Sequence, residues 1–398
     1  MVSPPSLLVI GAGPFQRALL QTTQRMGITT IALDGNPKAT SRALADRFIV
    51  CDISDIEAVL ACARDLTIDG VISTASDIAL PAHAAVAARL GLPGPSPESI
   101  VVARNKLLTA ERLEKAGVPS PKTALVNPGT APHAAGYPLV IKPALGAGGR
   151  GVSIIRDESE LPCAIERARR YGRPLYQRFV AGAPLGLEAF IVGGRVDACF
   201  VLEDQLGPEF PSPLGHATPS RRYDSHAPQL RTLAQSVVDA LELSDGGLNL
   251  DLRWTAHGPV VLEVNPRSGG AQLGPLIQYA YGVDLCAANL CVAIGTDPRH
   301  HLAIVHRRPA ATRLFVRHGR GVIRRRGEGV THPLDTRKDD QRVIAGILDV
   351  LIGTAATTAV DGWSLLGHCL VSGSTVDEAI ALAQEIDDDV GAFFEVDP

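Results

Sequence analysis

Seven cysteines stand among the 398 residues, an odd number without a C-x-x-C pair, and the sequence contains no H-E-x-x-H. Neither a disulfide framework nor a zinc motif is suggested by such spacing, and a reducing cytoplasm is the expected setting. Positive charge is not in excess either: the formal net charge is −4. No global basic field therefore exists to hold nucleic acid or an anionic membrane, and small molecules are the expected partners. No run of about 18 apolar residues occurs. The opening MVSPPSLLVIGAG has no basic stretch ahead of a cleavable apolar segment, so the expectation is a chain that neither crosses nor enters a membrane. Oligomeric state is left open, a homodimer included.

What the sequence does have is apolar content, 45% of residues, enough to bury several cores in two or three domains. SLLVIGAG reads as a strand ending in glycines; a helical pattern runs from Gln16 to Met26, and ITTIALD is a second strand. RFIVCD, a helix from Ile56 to Asp65, GVISTAS and a helix from Ile78 to Leu90 repeat the pattern, which predicts a parallel sheet with helices on its faces. LGLPGPSPES closes this unit. A helix from Ile100 to Ala116 follows, stopped by Gly117 and Pro119. YPLVIKP and GVSIIRD then read as strands around a glycine-rich turn, giving the middle of the chain an α+β character. From about Arg308 the alternating RLFVRHGRGVIRR and a helix from Thr375 to Ile386 suggest a third, smaller unit.

Three motifs carry chemistry. Gly11-Ala12-Gly13-Pro14-Phe15-Gln16, with Asp34 at the end of the next strand, partly matches a dinucleotide fingerprint. Gln16 stands where the third glycine would be, and a plain strand-to-helix turn accounts for the same residues. Asp77, in TASD, falls on the sheet edge where ligands bind, or caps the following helix.

The second motif is Lys142-Pro143 followed by Gly146, Gly148, Gly149 and Gly151. Four glycines in six positions free the backbone to wrap N–H groups around phosphate oxygens beside a lysine point charge. The lysine precedes the loop, so the pattern is not a Walker P-loop. The third is Asn249-Leu250-Asp251, then Glu263-Val264-Asn265-Pro266-Arg267. Two strands joined by a turn at Ala256 to Gly258 place Asp251 beside Glu263, and the strand period of two puts Asn265 on Glu263's face. Three hard oxygen donors of this kind suit Mg2+, and the Arg267 guanidinium is positioned to clamp a carboxylate or phosphate.

Arg324-Arg325-Arg326 is short, without interleaved aromatics, and reads as a solvated strand. His300-His301 is no metal site without further partners.

Together these segments resemble the ATP-grasp superfamily over nearly the whole chain, in its usual order: LLVIGAGPFQRALLQTTQRMGITTIALD, ARNKLLTAERLEKAGVPSP, VIKPALGAGGRGV and LNLDLRWTAHGPVVLEVNPRSGG. The resemblance implies an α/β and α+β architecture. It comprises a Rossmann-like pre-ATP-grasp domain over 1–100, an ATP-grasp domain over 101–308 with its lid at roughly 119–185, and a small C-terminal α+β domain over 309–398. It implies ATP as substrate with Lys106 and Lys142 on the α/β phosphates, Gly146, Gly148, Gly149 and Gly151 closing over them, and one or two Mg2+, or Mn2+, on Asp251, Glu263 and Asn265. Gln177, Phe179 and Val180 lie at the adenine-contacting hinge. Pro184 stands where a ribose-binding glutamate is usual; Glu188 is the candidate substitute, against the reading of an exposed strand glutamate. Asp251 replaces the commoner glutamate at its position.

VDGWSLLGHCLVSGSTVDEAIALAQEI and SPLGHATPS look like the biotin-carboxylase-like and L-amino acid ligase branches. By that resemblance His216 faces the second substrate, as a general base or a polar contact, and Arg267 steadies a tetrahedral oxyanion. The implied reaction joins a carboxylate to an amine through an acyl phosphate, releasing ADP, on amino-acid-like substrates. The alternatives are a bicarbonate-dependent carboxylase of the purine-biosynthesis or biotin-carboxylase kind and, in another class, a dinucleotide-dependent oxidoreductase.

Overall fold

The computed structural model describes residues 3–127, 136–146, 148–207, 213–317, 321–325, 334–348, 355–356 and 364–397. Of the segments singled out above, Met1, Val2, residues 128–135 of the expected lid, Ala147, Ser212, residues 318–320, Arg326 and residues 360–363 lie outside them.

The first unit alternates β1 (Ser6–Ile10), α1 (Arg17–Arg25), β2 (Thr29–Asp34), β3 (Arg47–Val50), α2 (Ile56–Arg64), β4 (Gly70–Ile72) and α3 (Leu80–Leu90). The strands form one sheet in the order β3-β2-β1-β4, all neighbours parallel. Leu7, Leu8, Val9 and Ile10 are completely buried, because helices cover both faces of a parallel sheet and an inner strand has no wet side. The helix expected from Gln16 starts one residue later, after a single 3-10 turn over Pro14–Gln16.

The helix expected over 100–116 is two helices, α4 (Pro97–Arg104) and α5 (Lys106–Lys115). Asn105 separates them: its backbone is extended, and its side chain accepts N–H bonds from Leu107 and Leu108. Asparagine is a strong helix start because it satisfies amides that have no partner within the helix. The break puts Lys106 at the first position of α5, where its backbone N–H donates to Ala144 O at 3.0 Å. A small antiparallel sheet follows from β5 (Thr123–Leu125), β6 (Leu139–Pro143), β7 (Ser153–Ile155) and, after α6 (Leu161–Arg169), β8 (Pro174–Arg178), in the order β5-β8-β6-β7.

The remainder comprises β9 (Ala183–Val192), β10 (Arg195–Leu206), β11 (Pro213–Thr218), α7 (Ala227–Leu241), β12 (Gly246–Thr255), β13 (Gly258–Asn265), α8 (Leu273–Tyr281), α9 (Leu285–Ala293), β14 (Ala310–Arg317), β15 (Gly321–Arg325), β16 (Val343–Leu348), β17 (Ala355–Ala356), β18 (Ser364–Ser372), α10 (Val376–Phe393) and β19 (Phe394–Asp397). Eight of these strands make one sheet, β13-β12-β9-β10-β11-β14-β18-β16. The composition shift near Arg308 marks no break in it, since β14 pairs directly with β11. The closing helix extends to Phe393, seven residues beyond the expected Ile386, because Val390 and Phe393 continue its buried stripe.

Alternation on β9 sorts the sheet's faces. Leu185, Leu187, Ala189 and Ile191 pack with α7 residues such as Leu230, Ala234 and Val237, while Phe190 and Val192 join α8 residues Leu276 and Ile277. Gly186 and Glu188 share the second face by the period of two. On β13 this period is interrupted. Asp251 pairs with Glu263 but Leu252 pairs with Val261, a bulge that inserts Leu262. Val261 is thereby turned into the aliphatic core while Glu263 faces the other way, the re-aiming that bulges perform beside functional sites.

Among the described residues no single helix is long and apolar enough to cross a membrane.

Candidate active site

The face of the sheet opposite α7 carries a row of polar side chains running across five strands. His216 on β11 lies opposite Asp204 on β10, and their Nδ1 and Oδ1 atoms are 2.8 Å apart. Asp251 on β12 lies opposite Gly186 on β9, and Glu263 on β13 lies opposite Asp251. Gly186 leaves the space that Asp204 leans into: a Cβ there would stand 2.7 Å from Asp204 Oδ1. Burial, and then the charges of Glu263 and Asp204, push Asp251 up to about 8. Carboxylates crowded in this way repel one another, a repulsion that a divalent cation would relieve.

Asn265, opposite Asn249 at the end of β13, donates its amide to Asn249 Oδ1 at 3.2 Å. Its carbonyl oxygen is then the atom suited to a metal. The donor set Asp251, Glu263 and Asn265 is all oxygen, which fits Mg2+.

Two lysines meet this row from the small sheet and from α5. Lys106 Nζ lies 3.2 Å from Glu263 Oε1 and donates to Gly146 O at 2.8 Å. Lys142, on β6, is 6% exposed. Burial lowers it to about 8, opposed by the charges of Glu263 and Asp251 and reinforced by that of Lys106. Gly146, Gly148, Gly149 and Gly151 all have positive φ, 143°, 64°, 70° and 73°. Residues with a Cβ adopt that conformation only under strain, so the loop requires its glycines. Gly146, Gly149 and Arg150 share a small pocket of about 230 Å³ with Lys106 and Glu263.

An adjoining cleft of about 550 Å³ is lined by Lys106, Glu263, Asn265, Asp77, Arg104 and Gln177, among others. Gln177 is buried and donates to Thr123 Oγ1 at 2.8 Å. Phe179 and Val180 follow β8, half-buried, and are not among the residues lining the cleft.

Several expectations are corrected. Asp77 caps no helix: α3 starts at Leu80 with no side-chain cap. It instead takes two bonds from Arg267, Nε to Oδ1 at 2.8 Å and Nη2 to Oδ2 at 2.9 Å. Burial works to raise Asp77, but the charge and hydrogen bonds of Arg267 prevail and hold it below its usual range. Glu188 is neither exposed nor available to a ribose. It is completely buried and accepts the Gly269 N–H at 3.0 and 3.2 Å. Burial pushes it up to about 8 against the pull of that N–H, Arg267, Asn249 and Ser268. Its work is to hold the turn that follows Arg267.

The first glycine turn is also filled from within. Gly11 N donates to Leu33 O, Ala12 N to Asp34 Oδ2 and Gly13 N to Gln16 Oε1. Gln16 Nε2 in turn donates to Thr74 O at 2.7 Å. Amides occupied in this way cannot cradle a pyrophosphate, which removes the basis for the oxidoreductase alternative.

Sequence reasoning missed Asp204 and the pairing of Asp77 with Arg267, which only register and loop closure bring together, and it passed over Arg104 and Arg150, which stand inside the ARNK and GAGGRG stretches.

Residues 103–271 match the family model for the ATP-grasp domain. The chain contains an ATP-grasp domain. Over its whole length the chain superposes on the L-amino acid ligase of Bacillus licheniformis with a TM-score of 0.80 at 21% identity, covering 100% of this chain and 99% of that one. The likeness establishes the fold. By sequence it is 30% identical over 303 residues to the uncharacterised protein y4rH of Sinorhizobium fredii, covering 70% of this chain and 61% of that protein. It is 28% identical over 332 residues to carnosine synthase 1 of Mus musculus, covering 73% and 40%. The chain thus spans less than two thirds of the length of either relative.

Proposed function

We propose that the chain is an ATP-dependent carboxylate–amine ligase, acting in the cytoplasm on small, amino-acid-like acids and amines and releasing ADP and phosphate. One observation carries this reading: Lys106 pairs with Glu263 where the glycine loop meets two adjoining pockets, and the buried Lys142 feels the charges of Glu263 and Asp251. The likeness to carnosine synthase 1 accords with it.

Phosphoryl transfer leaves the protein little covalent work, so positioning and charge carry the catalysis. Lys106 and Lys142 hold phosphate oxygens, and the N–H groups of the glycine loop close over them. Gln177 and its neighbours on β8 flank the base. Mg2+, held by Asp251, Glu263 and Asn265, would supply further neutralisation of phosphate charge. The first substrate's carboxylate oxygen bonds to the γ-phosphorus as the β–γ bridging P–O bond breaks, giving ADP and an acyl phosphate. The amine nitrogen then bonds to the acyl carbon, the C–O bond to phosphate breaks, and the amine proton passes to a base. His216, oriented by Asp204, is the candidate for that base, and Arg267 for the group that steadies the tetrahedral oxyanion.

The test is incubation with ATP, Mg2+, pooled amino acids and small carboxylates, followed by mass spectrometry of the products. Amide products with ADP are expected. AMP with pyrophosphate would overturn the chemistry, and turnover that requires bicarbonate would transfer the chain to the carboxylating class. ATP, and not NADH, is expected to raise thermal stability, since a ligand that binds only the folded state stabilises it by mass action.

A further inference from the structure

His300 and His301, adjacent in sequence, acquire a partner in the fold. Cys291 lies in the last turn of α9, and the chain doubles back over that helix end through Pro298 into the 3-10 turn Arg299–His301. The Cys291 sulfur and one nitrogen from each imidazole all lie within 4.8 Å of one another. The two imidazole rings are 3.8 Å apart between centroids.

This arrangement is held by contacts independent of any ion. Thr296 N donates to Cys291 O at 2.8 Å, His301 N to Pro298 O at 2.9 Å, and Asp284 N to His301 O at 3.1 Å. The segment is therefore tied to both ends of α9. Cys291 is buried, His301 half-buried and His300 exposed, so the trio runs from the interior to the surface.

We propose that Cys291 Sγ and one imidazole nitrogen each from His300 and His301 form a three-ligand site for Zn2+ or a comparable thiophilic divalent ion, separate from the oxygen-lined cleft. A thiolate with two imidazoles is a soft and borderline donor set that selects zinc over magnesium. Zinc bonds of about 2.3 Å to sulfur and 2.0–2.1 Å to nitrogen place tetrahedral donors roughly 3.4–3.8 Å apart. The trio reaches that geometry by contracting about an ångström, which rotation of the exposed His300 side chain accommodates. Water takes the fourth position.

The electrostatics agree. The C-terminal end of a helix carries partial negative charge and favours a cation.

The ion would pin a helix that matters to the cleft. Asn289, two residues before Cys291, donates to Ser268 Oγ at 2.8 Å, in the turn after Arg267. Gly70 on β4 packs so closely on the end of α9 that a Cβ there would stand 2.2 Å from Ala293 O.

The test uses the full chain in saturating Mg2+, which occupies the oxygen donors, titrated with Co2+ as a spectroscopic probe and then with Zn2+ in competition. One equivalent of Co2+ with tetrahedral absorption and a thiolate charge-transfer band is expected, displaced by Zn2+. Cys291→Ser is expected to abolish the band and to weaken Zn2+ binding at least tenfold. His300→Ala, at an exposed position that leaves the core intact, is expected to weaken binding similarly. Absence of the thiolate band from the unaltered chain, or His300→Ala binding Zn2+ as tightly as the parent, would overturn the proposal.

Discussion

Asp77 and Arg267, 190 positions apart in sequence, form a two-point ion pair that joins the loop after β4 to the turn that follows β13. The planar fork of a guanidinium fits a carboxylate at two points and fixes its own direction in doing so. Asp77, which lines the cleft, therefore fixes the direction of the Arg267 guanidinium.

Arg267→Ala is expected to lower turnover roughly 100-fold or more, the loss of about 2.7–4 kcal/mol that accompanies removal of one oxyanion donor. Asp77→Asn keeps the guanidinium but loosens it, so a smaller loss of roughly tenfold, about 1.4 kcal/mol, is expected. Steady-state ADP release by the two variants checks the order. Near-normal turnover in Arg267→Ala would remove that residue from the mechanism.

Lys142 gives a second prediction. Buried beside Lys106, it titrates at about 8, so its positive charge is present below that pH and lost as pH rises through it. Affinity for ATP in saturating Mg2+ is expected to fall between pH 7 and 9, and Lys142→Met is expected to be weaker throughout and flatter over the same range. Calorimetric titration at several pH values reads this directly. A parent profile as flat as the variant's would show that Lys142 does not contact phosphate.

The legible parts of the site were those with local periodicity. Glu263 and Asn265 lie two apart on one strand, the hairpin turn fixes Asp251 opposite Glu263, and four glycines in six positions announce a loop. The ATP-grasp fold was legible for the same reason, since each of its segments carries its own motif. The break at Asn105 was hidden because an asparagine inside a helical pattern reads equally as interior or cap. Glu188 was misjudged for a different reason. Its strand continues into an unbroken apolar run over 189–192, as a strand covered on both faces does, and both faces of the central sheet are covered here, so no solvent face exists for the glutamate. Asp204 and Asp77 reach the site only through pairing between distant strands and loops, which no window of sequence contains.

Gly186 is a test of the carboxylate row. A methyl group there would stand 2.7 Å from Asp204 Oδ1, closer than real side chains approach, while the backbone of β9 is ordinary strand that accepts alanine. Gly186→Ala is expected to push the Asp204 carboxylate off His216 Nδ1, at a stability cost of about 1–3 kcal/mol for overpacking. Turnover with amine should fall more than formation of ADP with the acid alone, because the displaced pair serves the second step. Equal losses in both assays would separate His216 and Asp204 from the amine.

Glu188 carries the last prediction, on stability rather than rate. Burial raises its carboxyl to about 8 from an ordinary value of 4.5. The folded protein therefore holds a proton that the unfolded chain has released over this interval. A group raised in this way contributes its full stability below about 4.5, and that contribution is lost as pH climbs through about 8. Glu188→Gln retains an oxygen to accept the Gly269 N–H but has no proton to lose. The difference in melting temperature, variant minus parent, is therefore expected to move in the variant's favour from pH 5 to pH 8.5. Asp251, also raised, is present in both proteins and cancels in the comparison. A difference that stays constant across that range would mean that Glu188 is charged in the fold at every pH tested, held by Gly269 and Arg267 against the cost of burial.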